Sequence, residues 1–209
     1  MHRIMKPMTK KKINNRIGIY AGTFNPVHTG HIAFALQAIE AAQLDNVYFM
    51  PERRPREKVT VEHFGHRMAM LERATRPHPK LEVLDLVDVN FSVVRTLPQL
   101  QLLFPDSQLV FLVGSDVAPS VPLWPYAEQL LKQAELVVGV RAGDDQEALK
   151  ALIVSWDPAP LAVTIFDSYA PSVSSSIIRQ AIQNREITNG LLPSVQRYSD
   201  HHWLYISLA

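Results

Sequence analysis

The sequence predicts an α/β fold, an open, mainly parallel sheet with helices on both faces. Short apolar, partly β-branched runs of strand length alternate along the chain with segments whose apolar residues recur at helical spacing. Several of these runs stop at a glycine or proline, where the chain changes direction. No internal repeat points to a solenoid or propeller instead. Alternation of this kind is assembled from right-handed strand–helix–strand crossovers, which lay the strands parallel and cover both faces of the sheet.

Taken in order, Ile17, Ile19 and Ala21 form a first buried strand that ends at Gly22. Asn25-Pro26 starts a turn, because proline fixes its own φ and keeps the preceding residue out of the helical region. From Thr29 the period changes, and Ile32, Ala35, Leu36 and Ile39 share one face of a helix. Residues 46–50 form a second strand, closed by Pro51. A polar, basic loop follows, then a helix from about Glu62 to Thr75. A third strand covers 81–87 and a helix 92–104, in which Pro98 predicts either a start nearer Leu97 or a kink. Residues 108–113 form a strand running into Gly114-Ser115-Asp116. Residues 135–140 and 161–166 are the last two strands, separated by a short helix centred on Leu149 and Leu152. A helix carrying Ile177, Ile178, Ala181 and Ile182 follows three serines, and a final helical stretch closes the chain.

Length and composition narrow the class. A chain of 209 residues, 47% hydrophobic, supports one sizeable core, here read as a single domain over 16–209 behind a basic arm over 1–15. The absence of cysteine excludes disulfides, thiolate metal sites and a cysteine nucleophile, and fits a cytoplasmic location. No apolar run approaches the roughly 18 residues that span a bilayer, so a soluble protein with no membrane partner is expected. Residues 1–16 carry six basic side chains and no acid, whereas the rest carry 15 basic and 20 acidic ones. The arm reads as a solvated tail, and no nucleic-acid partner is expected.

Chemistry concentrates at the strand ends. A helix start just after a strand presents unpaired N–H groups and the positive end of the helix dipole, which together favour an anion. His28 and His31, three apart, lie at that start; the dipole predicts neutral rings, each able to donate one N–H to a phosphate. As a lone pair they also read as caps, and no third ligand completes a zinc set. The arginines and Lys58 in the loop after Pro51 fit either a phosphate-gathering segment or a solvated surface. Gly114 and Asp116 follow a strand whose carboxyl end would face a ligand crevice. Ser174, Ser175 and Ser176 are N-caps in their own right.

Read as strings, these segments resemble a known superfamily. Gly22-Thr-Phe-Asn-Pro-Val-His-Thr-Gly-His31 resembles the phosphate-binding signature of the HIGH-type nucleotidyltransferases, and Val173-Ser-Ser-Ser-Ile-Ile-Arg179 resembles their second phosphate motif. Within that superfamily the chain is similar to bacterial nicotinate-nucleotide adenylyltransferases. Leu112-Val-Gly-Ser-Asp116, the segment around Trp124, Arg141 after its Leu-Val-Val run, and the tail from Asn189 to Tyr205 all match in type. The tail favours this family over the shorter pantetheine-phosphate adenylyltransferases.

The resemblance implies a Rossmann-like nucleotidyltransferase fold and transfer of AMP from ATP to nicotinate or nicotinamide mononucleotide. It implies that Gly22, Thr23, Phe24, His28, His31, Gly114, Asp116, Ser174, Ser175, Ser176 and Arg179 bind ATP, with His28, His31 and Arg179 catalytic. Asn25, Lys58, Arg95, Trp124 and Arg141 fall to the mononucleotide, Trp124 by stacking on the pyridine. Mg²⁺ is expected to arrive with ATP rather than in a protein cage, and a homo-oligomer is left open. Two motifs depart from the family pattern. Arg54-Pro-Arg-Glu-Lys58 replaces Pro-Pro-His-Lys, and Asn90-Phe-Ser-Val-Val-Arg-Thr-Leu97 lacks the usual aspartate. These departures leave open adenylyl transfer to another phosphorylated acceptor, such as phosphopantetheine, or a non-catalytic nucleotide-binding relative.

Overall fold

The computed structural model describes residues 15–55, 60–88, 90–169 and 173–206. Six strands form one sheet, all parallel: β1 (Asn15–Gly22), β2 (Asn46–Pro51), β3 (Leu81–Val83), β4 (Ser107–Gly114), β5 (Glu135–Val140) and β6 (Val163–Asp167), in the order β3-β2-β1-β4-β5-β6. The helices are α1 (Thr29–Ala42), α2 (Phe64–Thr75), α3 (Val93–Leu103), α4 (Ala127–Gln133), α5 (Gln146–Val154), α6 (Ser175–Gln183) and α7 (Pro193–His201), with a 3₁₀ turn over Ala118–Leu123. Residues 1–14, most of the basic arm, lie outside the described residues.

Strand alternation divides the core into two layers. Val110, Leu112 and Val137 point to the face covered by α1, α2, α6 and α7, with Phe34, Leu71, Ile178 and Val195 packed there. Leu109, Phe111, Val113, Leu136 and Val138 point to the other face, covered by α3, α4 and α5. This is the period-two arrangement of strands buried on both sides.

Three elements differ from what periodicity predicts. β3 stops at Val83 rather than Val87, because Arg53 draws the following segment away from the ladder. Its Nε donates to the Leu86 carbonyl at 3.0 Å, and its Nη2 pairs with Asp85 at 2.7 Å. α3 runs through Pro98 without a break; Pro98 and Val94, one turn apart, both lie on the exposed face of the helix, where loss of one helical hydrogen bond is best tolerated. α4 has seven residues, too few for a periodic signal.

The ladder between β1 and β4 ends at Ile19 and Phe111, three residues short of either strand's end. β1 remains paired with β2 as far as Gly22 opposite Pro51, and β4 with β5 as far as Gly114 opposite Gly139. The sheet therefore parts down its middle at the carboxyl edge.

Arg67 braces one side of the opening. It is 1% exposed, and its guanidinium donates to the carbonyls of Thr23 (2.7 Å), Glu52 (2.7 Å), Arg53 (3.1 Å) and Glu62 (3.0 Å). One planar group thus joins the exits of β1 and β2 to the entry of α2, using the fork geometry that an ammonium lacks. Arg67→Met is expected to lower unfolding free energy by at least ~3 kcal/mol in urea denaturation, since it leaves several buried carbonyls unpaired. Arg67→Lys should recover less than half of that.

Candidate active site

The parting of β1 and β4 is the topological switch point of the sheet, the place where open parallel sheets bind ligands. A cavity of about 860 Å³ lies there, walled by Tyr20–Phe24 and Phe111–Gly114. A second, of about 300 Å³, shares Thr23, Phe24, His31, Ser175 and Ser176 with the first and adds Asn25, Thr60 and Arg179.

The loop between β1 and α1 is shaped by Phe24, whose φ of +49° lies in the left-handed region. That conformation costs an L-residue about 1–2 kcal/mol. Burial of the ring, 2% exposed, offsets it with roughly 2–3 kcal/mol. The ring lies over Gly22, where an added Cβ would meet it at 2.9 Å, so the glycine gives the room that the turn requires. At the start of α1, the His28 backbone N–H donates to His31 Nδ1 at 3.2 Å. A ring that accepts at Nδ1 carries its proton on Nε2. Phe24 at 5.1 Å and His28 at 3.7 Å, between ring centroids, hold the imidazole in place.

α6 begins against the same loop. Ser174 caps it by accepting from the Ile177 N–H at 3.2 Å. Ser175 Oγ donates to the Pro26 carbonyl at 2.9 Å. Arg179 Nη1 donates to the Asn25 carbonyl at 2.7 Å, and its Nη2 donates to Ser176 Oγ at 3.2 Å. The two helix starts are therefore stitched together. Asn25 is the knot: its Oδ1 also accepts from Tyr205 Oη (3.0 Å) and the Glu62 N–H (3.2 Å), and its Nδ2 donates to the Thr60 carbonyl (3.3 Å).

Across the opening, Gly114 and Asp116 line the larger cavity, and Asp116 pairs with Arg141 at 3.0 Å. Trp124 lines it as well, edge-on to Phe91 at 5.7 Å, with its Nε1 donating to Ser120 Oγ at 3.3 Å. Arg95 lines neither cavity and pairs instead with Asp88 at 3.3 Å. Lys58 lies outside the described residues. Tyr20, Phe34, Glu52, Phe91 and Phe111 line the larger cavity without having been singled out in the sequence. For Tyr20, Glu52 and Phe111 the one signal in the sequence is position at the carboxyl end of a parallel strand.

Comparison with known proteins bears on the family and the fold. A model of the cytidylyltransferase-like family matches residues 19–181. Nicotinate-nucleotide adenylyltransferase of Bacillus subtilis is 30% identical over 201 residues, covering 92% of this chain and 99% of that protein. A probable nicotinate-nucleotide adenylyltransferase of a Synechococcus species is 33% identical over 202 residues, covering 91% and 95%. The chain belongs to the nicotinate-nucleotide adenylyltransferase family. In fold it is similar to a Plasmodium falciparum nicotinic acid mononucleotide adenylyltransferase complexed with NaAD, with a TM-score of 0.77 at 18% identity over 92% of this chain and 98% of that one.

In this family member the His-Thr-Gly-His string stands at a helix start, and the charge state of His28 has a local cause. Burial first, and the Arg141 guanidinium second, push its pKa down to about 4. The ring is 6% exposed, and its Nδ1 is buried without a hydrogen-bond partner. It is therefore neutral at pH 7, as the dipole argument expects, though through different physics. Tyr20 is likewise held as the neutral phenol, its pKa raised by burial. Among the described residues no group of three or more His, Cys, Asp or Glu side chains could hold a metal, and no helix is long and apolar enough to cross a membrane.

A histidine whose pKa is about 4 when folded, against 6.5 when unfolded, binds its proton more readily in the unfolded chain. Stability from this residue is complete above about pH 6.5 and is lost as pH falls toward 4. Between pH 7 and 4.5 the unfolding free energy of the wild type is expected to fall by about 2 kcal/mol more than that of His28→Asn, measured by urea denaturation.

Proposed function

We propose that the chain transfers the adenylyl group of ATP to nicotinate mononucleotide, or nicotinamide mononucleotide, giving the dinucleotide and pyrophosphate. The observation that carries this reading is the junction of two helix N-termini, those of α1 and α6, beside cavities at the parted centre of the sheet. The names of the relatives support it, as does the fold shared with Plasmodium falciparum enzymes complexed with NaAD and with APC. ATP as donor fits a cytoplasmic location.

In this reading a phosphate oxygen of the mononucleotide attacks the α-phosphorus, and the bond to the bridging oxygen of the β-phosphate breaks. The attacking phosphate is largely ionised at neutral pH, with a second pKa near 6, so no general base is required. The protein aligns the reactants and stabilises charge moving toward the departing pyrophosphate. His31 serves through its Nε2–H. Neutral His28 offers one ring N–H as a donor. Arg179, with two of its five N–H groups engaged within the protein, retains others for phosphate oxygens. Ser174, Ser175, Ser176 and the backbone of Gly22, Thr23 and Phe24 complete the phosphate cradle, and Gly114 and Asp116 face the nucleoside.

Trp124, beside Phe91, offers an aromatic wall for the pyridine, and Arg141 offers a cation toward the acceptor phosphate. Asn25 acts mainly by holding the loop, since its side chain already serves three partners. Lys58 belongs to the same reading as a phosphate contact, and Arg95 acts at most through its pairing with Asp88. Mg²⁺ would enter with ATP, held by phosphate oxygens and water, where it would neutralise polyphosphate charge. The donor-rich lining of His, Ser and Arg side chains fits that arrangement, because it suits the phosphates rather than the ion.

Steady-state assay of pyrophosphate release over a panel of pyridine mononucleotides and phosphopantetheine is expected to show turnover with the pyridine substrates. Release with phosphopantetheine alone would overturn the proposal. His31→Ala is expected to lower kcat by about 10²-fold, the usual size of removing one transition-state donor, with the melting temperature nearly unchanged.

A further inference from the structure

The loop between β3 and α3 carries Phe91 and Ser92 into the larger cavity, and it is one of the two segments whose sequence departs from the family pattern. Two consecutive residues at the exit of β2 hold it from opposite ends. Arg53 fixes its beginning through the Leu86 carbonyl and Asp85. Glu52 fixes its end: Oε1 accepts the Phe91 backbone N–H at 3.2 Å, across 39 residues of sequence.

Phe91 is the residue through which this clamp reaches the aromatic wall. Its ring packs edge-on against Phe111 of β4 at 5.3 Å and against Trp124 at 5.7 Å, and all three line the cavity. Glu52 lines it too. The main chain of Glu52 is committed separately, its N–H to the Gly22 carbonyl at 2.9 Å and its carbonyl to Arg67 at 2.7 Å. Those bonds place the carboxylate beside the opening, and they survive removal of the side chain.

We propose that Glu52 is the positioning residue for the acceptor's base: by holding the Phe91 N–H it sets the Phe91–Trp124 wall against which the pyridine packs. The proposal rests on the reading of the site as an adenylyltransferase with a pyridine mononucleotide acceptor. A hydrogen bond to a carboxylate is stronger than one between neutral groups and holds its partner's geometry more closely. Loosening Phe91 would cost acceptor binding while leaving the triphosphate contacts of α1 and α6 untouched. The effect therefore belongs to one substrate only.

The test compares wild type, Glu52→Ala and Glu52→Gln in steady-state kinetics with each substrate varied in turn, together with hydrogen exchange at the Phe91 amide. Glu52→Ala is expected to raise KM for the mononucleotide about tenfold, the scale of one lost charge-assisted hydrogen bond. Its KM for ATP and its kcat should stay within about twofold, and the Phe91 amide should exchange faster. Glu52→Gln, which keeps an acceptor oxygen, should restore most of both. An unchanged mononucleotide KM in Glu52→Ala, an equal rise in the KM for ATP, or a Glu52→Gln as impaired as Glu52→Ala would each overturn the proposal. Absence of turnover by the wild type with any pyridine mononucleotide would instead overturn the functional reading beneath it, and the acceptor role of Glu52 with it.

Discussion

The parting of β1 from β4 is the constraint on which the rest of the molecule depends. Strand order makes it unavoidable, since the chain crosses over on one side of β1 to build β2 and β3, and on the other side to build β4, β5 and β6. Connections leave the two central strands in opposite directions, and their ladder ends at Ile19 and Phe111. Past the ladder's end the backbone leaves its pairing at the edge of a buried sheet, and its polar groups need partners. The starts of α1 and α6 stand on one side of the opening and the Asp116–Arg141 pair on the other.

Holding the opening in shape falls to groups far apart in sequence. Arg67 gathers the exits of β1 and β2 by their carbonyls, and Asn25 gathers the 60–62 segment, Tyr205 and Arg179. Both act as fasteners, committing their hydrogen bonds to geometry. A buried arginine with only carbonyl partners gives up much of its hydration, which burial expresses as a lowered pKa. That cost is offset only when nearly all of its donors are matched. A similar balance places Phe24 in a left-handed conformation, tolerated because its ring is fully packed.

Much of this is legible in the sequence, and the illegible remainder has a common cause in long-range contact. The apolar runs locate the strands, because burial on both faces leaves a continuous apolar segment, and the helical spacing after Thr29 locates α1, because burial of one face leaves a periodic trace. The glycine, histidine and serine strings mark the two helix starts. Their union does not show locally, since Ser175 and Arg179 meet Pro26 and Asn25 across about 150 residues. Nothing local in the sequence marks the buried role of Arg67, because its acceptors are backbone carbonyls, which any residue type supplies. The segment 90–97 lacks the aspartate of the family pattern, yet a carboxylate is present nearby in Asp88, which accepts from Thr96 and Gln99 as well as pairing with Arg95. Glu52 carries no local signal beyond its place at the end of a strand. α4 and the 3₁₀ turn before it are too short for their composition to declare them.

The most direct test of the central claim is a crystal structure of the protein with a non-hydrolysable ATP analogue. A single triphosphate is expected between the starts of α1 and α6, with phosphate oxygens within hydrogen-bond distance of His31 Nε2 and of the Arg179 guanidinium. A triphosphate bound elsewhere, or one contacting only one of those two helix starts, would contradict the claim.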